Sequence, residues 1–209
     1  MHPSQQPPVT KGAALKVLQQ QIRSCTLCQQ HGYLQAVHPI VSGRATDRLM
    51  VIGQAPGHRS VAKNLPFSGP GGMVLQKWLE RAGFPEGYLH DRAYLSSLTR
   101  CNPGKNTSGS GDRRPSPPEI ALCRPYLEQE LLLLQPRVVL LVGSMAIEAF
   151  LGKARLEEII GTYQQRDMTF FLPLPHPSGV SRWLNAPAHQ YLHQQALQLL
   201  AEWRITYQL

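Results

Sequence analysis

Short runs of consecutive apolar residues occur along the chain and predict buried β-strands. The clearest lie at residues 48–52 and 138–142, and a glycine follows each of them. Weaker runs at residues 93–98 and 170–172 predict two further strands. Apolar runs of this length, bounded by turn residues, are typical of strands in the interior of a domain.

Between these runs, apolar residues recur at spacings of three and four, which predicts amphipathic helices. The segment that starts at Ser116 has a capping box with Glu119 and places a proline at the first helical position. Ser144 is expected to cap a short helix. The predicted helices cover residues 11–24, a segment containing 74–79, the segment after Ser116, residues 144–150 and a C-terminal segment containing 192–203.

The order of these elements repeats a strand, a loop and a helix. This order predicts an α/β fold, a three-layer α/β/α sandwich with a central, mainly parallel sheet. Ligands of such sheets bind beyond the carboxyl ends of the strands. We therefore expect the loops after Ile52, Leu98 and Leu172 to meet at one site.

Composition places limits on the class of protein. The chain has 209 residues, of which 42% are hydrophobic, so wholesale disorder is excluded. We expect a flexible lead over residues 1–10 and a single domain over residues 11–209. No apolar run approaches the roughly 18 residues of a membrane span, and the first residues lack the apolar core of a secretory signal. By default these observations predict a cytoplasmic protein without membrane contact. As a separate expectation, the protein is a monomer.

The charge balance favours a polyanionic partner. Lys and Arg total 21 against 13 Asp and Glu, a net charge of +8, which is compatible with binding of nucleic acid. The basic residues are dispersed, apart from Lys105, Arg113 and Arg114 in a polar loop over residues 102–117. Each isolated charge is also compatible with an ordinary solvated surface.

The four cysteines call for one explanation. Cys25 and Cys28 form a C-x-x-C pair, and Cys101 and Cys123 follow at wide spacing. Buried core thiols, disulfides or a redox pair each fit this pattern poorly, whereas four thiolates suit a tetrahedral zinc ion or a cubane iron–sulfur cluster. The spacing alone does not separate zinc from the cluster.

Four short motifs complete the pattern: GQAPG at 53–57, LPFSGPGG at 65–72, YLSSLTRC at 94–101 and PHPSG at 175–179. In this order, together with the four cysteines, they resemble the iron–sulfur branches of the uracil-DNA glycosylase superfamily. The resemblance implies an enzyme of base excision repair, a monofunctional glycosylase. Such an enzyme flips uracil or a related deaminated base out of DNA and hydrolyses its N-glycosidic bond. It also implies a [4Fe–4S] cluster bound by Cys25, Cys28, Cys101 and Cys123.

The resemblance implies roles for individual residues. His176 would stabilise negative charge on the departing base, Phe67 would stack on the base, and Gln54 would contact base or water. The implied base-binding set is Gly53, Gln54, Ala55, Phe67, Ser97 and His176. The implied DNA-binding set is Ser178, Gly179, Ser181, Arg182, Lys105, Arg113 and Arg114.

The chain departs from its relatives at several of these places. Where different relatives carry a carboxylate, this chain has Gln54, Ala55 or Pro70, and Ser97 stands where an asparagine usually reads the pyrimidine edge. These departures leave open a module of the same fold that binds uracil or nucleic acid with little or no catalysis. The cysteine pattern leaves open a zinc-stabilised domain of unrelated function.

Overall fold

The computed structural model describes residues 10–107, 111–178 and 182–209. Its strands are β1 (Leu49–Gly53), β2 (Ala93–Ser97), β3 (Val138–Val142), β4 (Gln164–Arg166) and β5 (Thr169–Leu174). They form one sheet in the order β2-β1-β3-β5-β4. The neighbours among β2, β1, β3 and β5 pair in parallel, whereas β4 runs antiparallel to β5 at the edge.

Helices cover both faces of this sheet. They are α1 (Lys11–Arg23), α2 (Leu27–Gln30), α3 (His58–Lys63), α4 (Pro70–Arg81), α5 (Tyr88–Asp91), α6 (Pro117–Leu134), α7 (Ser144–Leu151), α8 (Leu156–Ile159) and α9 (Pro187–Thr206). A short 3-10 turn, Trp183–Asn185, precedes α9. The predicted three-layer sandwich with a mainly parallel sheet is confirmed.

Alternation along β1 shows how the two layers form. Leu49 and Val51 pack into a cluster with α4 and α9, while Met50 and Ile52 pack on the other face with α1, α6 and α7. All five residues of β1 are buried. Two-sided burial explains why this strand reads as a continuous apolar run.

Several local features differ from the sequence prediction, and the four short helices α2, α3, α5 and α8 were not predicted. Gly143 caps α7, and Ser144 is its first residue rather than its cap. The edge strand β4 was not predicted, because its three residues are exposed and polar and carry no apolar pattern. Of the lead predicted over residues 1–10, only Thr10 lies in the described part of the chain, and its hydroxyl accepts a hydrogen bond from Ala13 N at the start of α1.

None of the helices in the described ranges is long and apolar enough to cross a membrane.

Candidate functional site

A cleft of about 450 Å³ opens at the carboxyl ends of the parallel strands. Its walls come from the segment after β1, the start of α4, the end of β2, the end of β3 and the segment after β5. The loops predicted to meet at this edge of the sheet therefore do meet. Of the residues proposed from sequence to bind base or DNA, those that line the cleft are Gly53, Gln54, Ala55, Phe67, Ser97, Arg113, His176 and Ser178.

Glycines bring the Phe67 ring against the end of β1. A methyl group on Gly53 would lie 3.0 Å from Cζ of Phe67, and one on Gly72 would lie 1.5 Å from the Phe67 carbonyl oxygen. Phe67 itself has a positive φ of 55°, a conformation that costs energy for a non-glycine residue. The surrounding bend thus fixes the aromatic ring in the cleft wall, and Phe67 also packs against the core on the α4 side of the sheet.

His176 follows β5 and is held in one tautomer. Its Nδ1 accepts a hydrogen bond from the backbone N–H of Ser178, at 3.2 Å. An accepting Nδ1 is deprotonated, so the neutral ring carries its proton on Nε2 and can donate from there. The pKa of His176 lies below its usual value, first because the cleft walls strip water from the ring and second because of the positive charge of Arg114. Its side chain remains accessible from the cleft.

Backbone hydrogen bonds join the first motif to the end of β2. Leu98 N donates to Gly53 O at 2.9 Å, and Thr99 N donates to Gln54 O at 3.2 Å. Ser97 reaches the cleft wall, but its hydroxyl donates to Thr99 O at 2.7 Å. In this arrangement the Ser97 hydroxyl proton is occupied within the chain and only its oxygen is left to accept from a ligand.

After the third cysteine, the described residues 102–107 and 111–114 of the polar loop pair with each other, and we call this pair of segments the hairpin. Lys105 and Asp112 form an antiparallel bridge, and Arg113 N donates to Gly104 O at 2.9 Å. Asn102 ties this hairpin to the first motif, since its Nδ2 donates to Pro56 O at 2.8 Å. The loop therefore forms one wall of the cleft.

The basic residues proposed for DNA differ in their availability. Arg113 makes two 2.7 Å hydrogen bonds to the carboxylate of Glu119 at the start of α6, so much of its charge is already neutralised. Lys105, Arg114 and Arg182 are exposed but do not line the cleft. Gly179 and Ser181 lie outside the described residues.

Of the charged residues that line the described part of the cleft, sequence reasoning missed Arg59 and Asp112. Asp112 is the only acidic residue among the described residues of the cleft. Its Oδ2 accepts a hydrogen bond from the backbone N–H of His58 at 3.1 Å. The preceding letters, SGSG, indicate a turn but give no sign that the chain folds back 54 positions onto the first motif. Only the hairpin brings this carboxylate to the site.

All four cysteines line a second, small apolar pocket, with Arg100 and Tyr126 in its wall. None of them forms a disulfide. Burial raises the pKa of Cys28 to about 11 and that of Cys101 to about 12, and the neighbouring cysteines add to both shifts. Across the described ranges, no three His, Cys, Asp or Glu side chains are arranged to hold a metal ion. The four cysteines thus share one pocket.

Comparison with known proteins identifies the family. A family model described as the Uracil DNA glycosylase superfamily matches residues 41–200. The chain belongs to the uracil DNA glycosylase superfamily. It is 28% identical over 137 residues to the Type-4 uracil-DNA glycosylase of Pyrobaculum aerophilum, covering 66% of this chain and 64% of that protein.

Two further relatives carry the same name. The chain is 25% identical over 142 residues to the Type-4 uracil-DNA glycosylase of Thermotoga maritima, covering 68% of each chain. It is 22% identical over 175 residues to that of Sulfurisphaera tokodaii, covering 79% of this chain and 74% of the relative. The match to the Pyrobaculum protein thus spans slightly less than two thirds of its length.

Proposed function

We propose that this protein is a monofunctional DNA glycosylase that removes uracil, or a related deaminated base, from DNA in base excision repair. The observation that carries the proposal is the meeting of the Phe67 ring and the Nε2 donor of His176 in one cleft of a superfamily member. All three relatives described above are named uracil-DNA glycosylases. The cleft volume of about 450 Å³ suits a small ligand such as an extruded base.

The reaction is hydrolysis of the bond between C1′ of deoxyribose and the base nitrogen. As this bond breaks, its electron pair leaves with the base and negative charge develops on the pyrimidine O2. The oxygen of a water molecule becomes the C1′ hydroxyl, and the proton released from that water ends on the free base. The products are the base and an abasic site.

His176 acts on the departing base in this scheme. Its Nε2–H donates to O2 where charge develops, so the interaction is stronger in the transition state than in the ground state. A neutral imidazole is sufficient, which agrees with its lowered pKa. Phe67 stacks on the base, Gln54 contacts base or water, and Gly53 and Ala55 let the backbone approach the nucleotide.

Contacts with DNA come from the segment after His176 and from the hairpin wall. We assign phosphate contacts to Ser178, Gly179, Ser181 and Arg182, with Lys105 and Arg114 adding positive charge. Arg113 contributes less than these residues, because Glu119 already pairs with it.

All four cysteines line one pocket, and thiolates suit either zinc or an iron–sulfur cluster. The resemblance to the iron–sulfur branches of the superfamily favours the cluster. The raised pKa values of these cysteines mean that a cationic group is needed to hold them as thiolates. We propose that Cys25, Cys28, Cys101 and Cys123 bind a [4Fe–4S] cluster, which would join α2, the end of β2 and α6.

Excision of uracil is the direct test of function. Single- and double-stranded oligonucleotides with one uracil should yield an abasic site under single-turnover conditions. His176→Ala should lower the rate by on the order of 10²-fold or more, while His31→Ala, which changes an exposed histidine outside the cleft, should not. Binding of uracil-containing DNA without any abasic product would instead favour the non-catalytic binding module.

Metal content tests the cluster independently of activity. Protein purified without oxygen should contain about four iron and four sulfide per chain, and Cys123→Ser should lower both. Stoichiometric zinc without sulfide would contradict the assignment.

A further inference from the structure

Hydrolysis of a glycosidic bond builds positive charge on the sugar as well as negative charge on the base. Enzymes that cleave such bonds through an oxocarbenium-like transition state place a carboxylate beside the sugar. Gln54, the polar side chain of the first motif, is uncharged and cannot supply this charge. Among the described residues that line the cleft, Asp112 is the only acidic one.

The carboxylate of Asp112 lies directly against the first motif. Its Oδ2 is 3.1 Å from the backbone nitrogen of His58 and would be 3.3 Å from a methyl group on Gly57. His58 Nδ1 lies 3.8 Å from the same oxygen. The side chain retains 21% exposure, so it is partly shielded from water and still open to the cleft.

Fixed contacts on both sides hold Asp112 at this place. On one strand of the hairpin, Asn102 accepts from Gly104 N at 2.8 Å and donates to Pro56 O at 2.8 Å. On the other strand, Arg113 is anchored by its paired hydrogen bonds to Glu119. These contacts of the neighbouring residues hold the Asp112 carboxylate beside the first motif.

The charge of Asp112 is opposite in sign to the charges of the arginines in the cleft. Arg59 and Arg113 also line it, and a carboxylate beside them repels a polyanionic ligand. Capping of α3 needs only a hydrogen-bond acceptor, which an uncharged side chain also provides. The negative charge of Asp112 is therefore not required for this hydrogen bond and can stabilise positive charge that develops in the cleft.

We propose that Asp112 is the catalytic carboxylate of this site, placed by the hairpin where it stabilises positive charge on the sugar during bond cleavage. The proposal rests on the glycosylase function proposed above. It also accounts for a first motif that lacks an acid.

Asp112→Asn is the sharpest variant, because asparagine keeps an oxygen to accept from His58 N and loses only the charge. We expect single-turnover excision of uracil to fall at least tenfold, with unchanged thermal unfolding. If the wild-type protein excises uracil and Asp112→Asn does so at a rate within twofold of it, the proposed role of Asp112 is wrong. The proposed glycosylase function is then unaffected. A wild-type protein that cannot excise uracil would overturn both.

Binding of transition-state mimics separates charge from structure. Wild-type protein should bind DNA carrying a cationic pyrrolidine in place of the sugar at least tenfold more tightly than DNA carrying a neutral tetrahydrofuran. In Asp112→Asn this ratio should approach one, and an unchanged ratio would reject the role.

Gln54→Glu gives a test that does not depend on the folding of the Asp112 variant. If Asp112 supplies the charge, Gln54→Glu should raise the excision rate of Asp112→Asn by at least tenfold more than it raises the rate of the wild-type protein. A tenfold or larger gain from Gln54→Glu alone would show that the wild-type cleft lacks a working carboxylate.

Discussion

The ring of His176 rests on Gly143, the residue that follows β3. A methyl group at Gly143 would lie 3.0 Å from Cδ2 of His176, and Gly143 has a positive φ of 87°. Gly152, at the other end of α7, has nearly the same backbone, with φ of 85°, yet a methyl group there would meet nothing within 4 Å. The two glycines share their conformation and differ in what lies next to them.

Gly143→Ala should therefore displace His176. We expect excision to fall by about 10- to 10²-fold, as a shift near 1 Å in a catalytic group can cause. Gly152→Ala imposes the same backbone strain without that contact, so it should lower stability to a similar degree while leaving the rate per folded molecule unchanged. Equal rates for the two variants would argue against a role for the His176 position.

Phe67→Ala should weaken binding of DNA that carries a non-hydrolysable uracil nucleotide. Loss of base stacking costs about 1–3 kcal/mol, and affinity for undamaged DNA should stay the same. Phe67→Leu is the matched variant, because leucine keeps apolar bulk and lacks a flat π face. Full affinity in the leucine variant, measured by fluorescence anisotropy, would be inconsistent with stacking.

Glu130→Gln should strongly destabilise the fold. Glu130 is fully buried and accepts hydrogen bonds from Arg100, Ser96 and Tyr94. Removing its charge leaves the guanidinium of Arg100, which is 2% exposed, without a counterion, and such losses cost about 3–5 kcal/mol.

The control lies on the same helix, α6. Glu128 pairs with Arg124 at the surface, so Glu128→Gln should cost less than about 1 kcal/mol. Denaturant unfolding of both variants measures the difference, and similar values for the two would refute the importance of the buried pair.

His193 should make stability depend on pH. Burial, assisted by the positive charge of Arg81, lowers its pKa from 6.5 to about 4. At a pH between these two pKa values, the unfolded chain binds a proton at His193 and the folded chain does not. The free energy of unfolding therefore falls as the pH falls from about 6.5 to about 4.

His193→Phe should flatten this part of the pH profile. The His193 ring packs on Trp78 with centroids 4.3 Å apart, and its buried Nε2 has no hydrogen-bond partner among the described residues, so phenylalanine replaces it without losing a bond. Urea unfolding of the wild-type protein and of His193→Phe between pH 4 and pH 7 tests this. If the free energy of unfolding depends on pH in the same way in both proteins, the lowered pKa of His193 is contradicted.

The sequence determined the layered fold and which segments after the strands meet at the cleft. The apolar run at residues 138–142 indicates a strand buried on both faces, and the structure has such a strand there. The capping box of Ser116 and Glu119 predicts the start of a helix, and α6 begins at that place. These signals are local, because burial and capping act over a few residues. The segment after β1 and the segment that contains His176 meet because each follows a parallel strand, and the carboxyl ends of parallel strands lie at one edge of the sheet. The monomeric state and the location remain predictions from sequence.

Only the tertiary structure decided which polar groups are free to act. Arg113 is basic in the sequence but is paired with Glu119, and the Ser97 hydroxyl donates to Thr99. Asp112 reads as part of a polar loop, yet it contacts His58 across 54 positions of chain. Such pairings depend on the path of the whole backbone, and no periodicity or spacing records them.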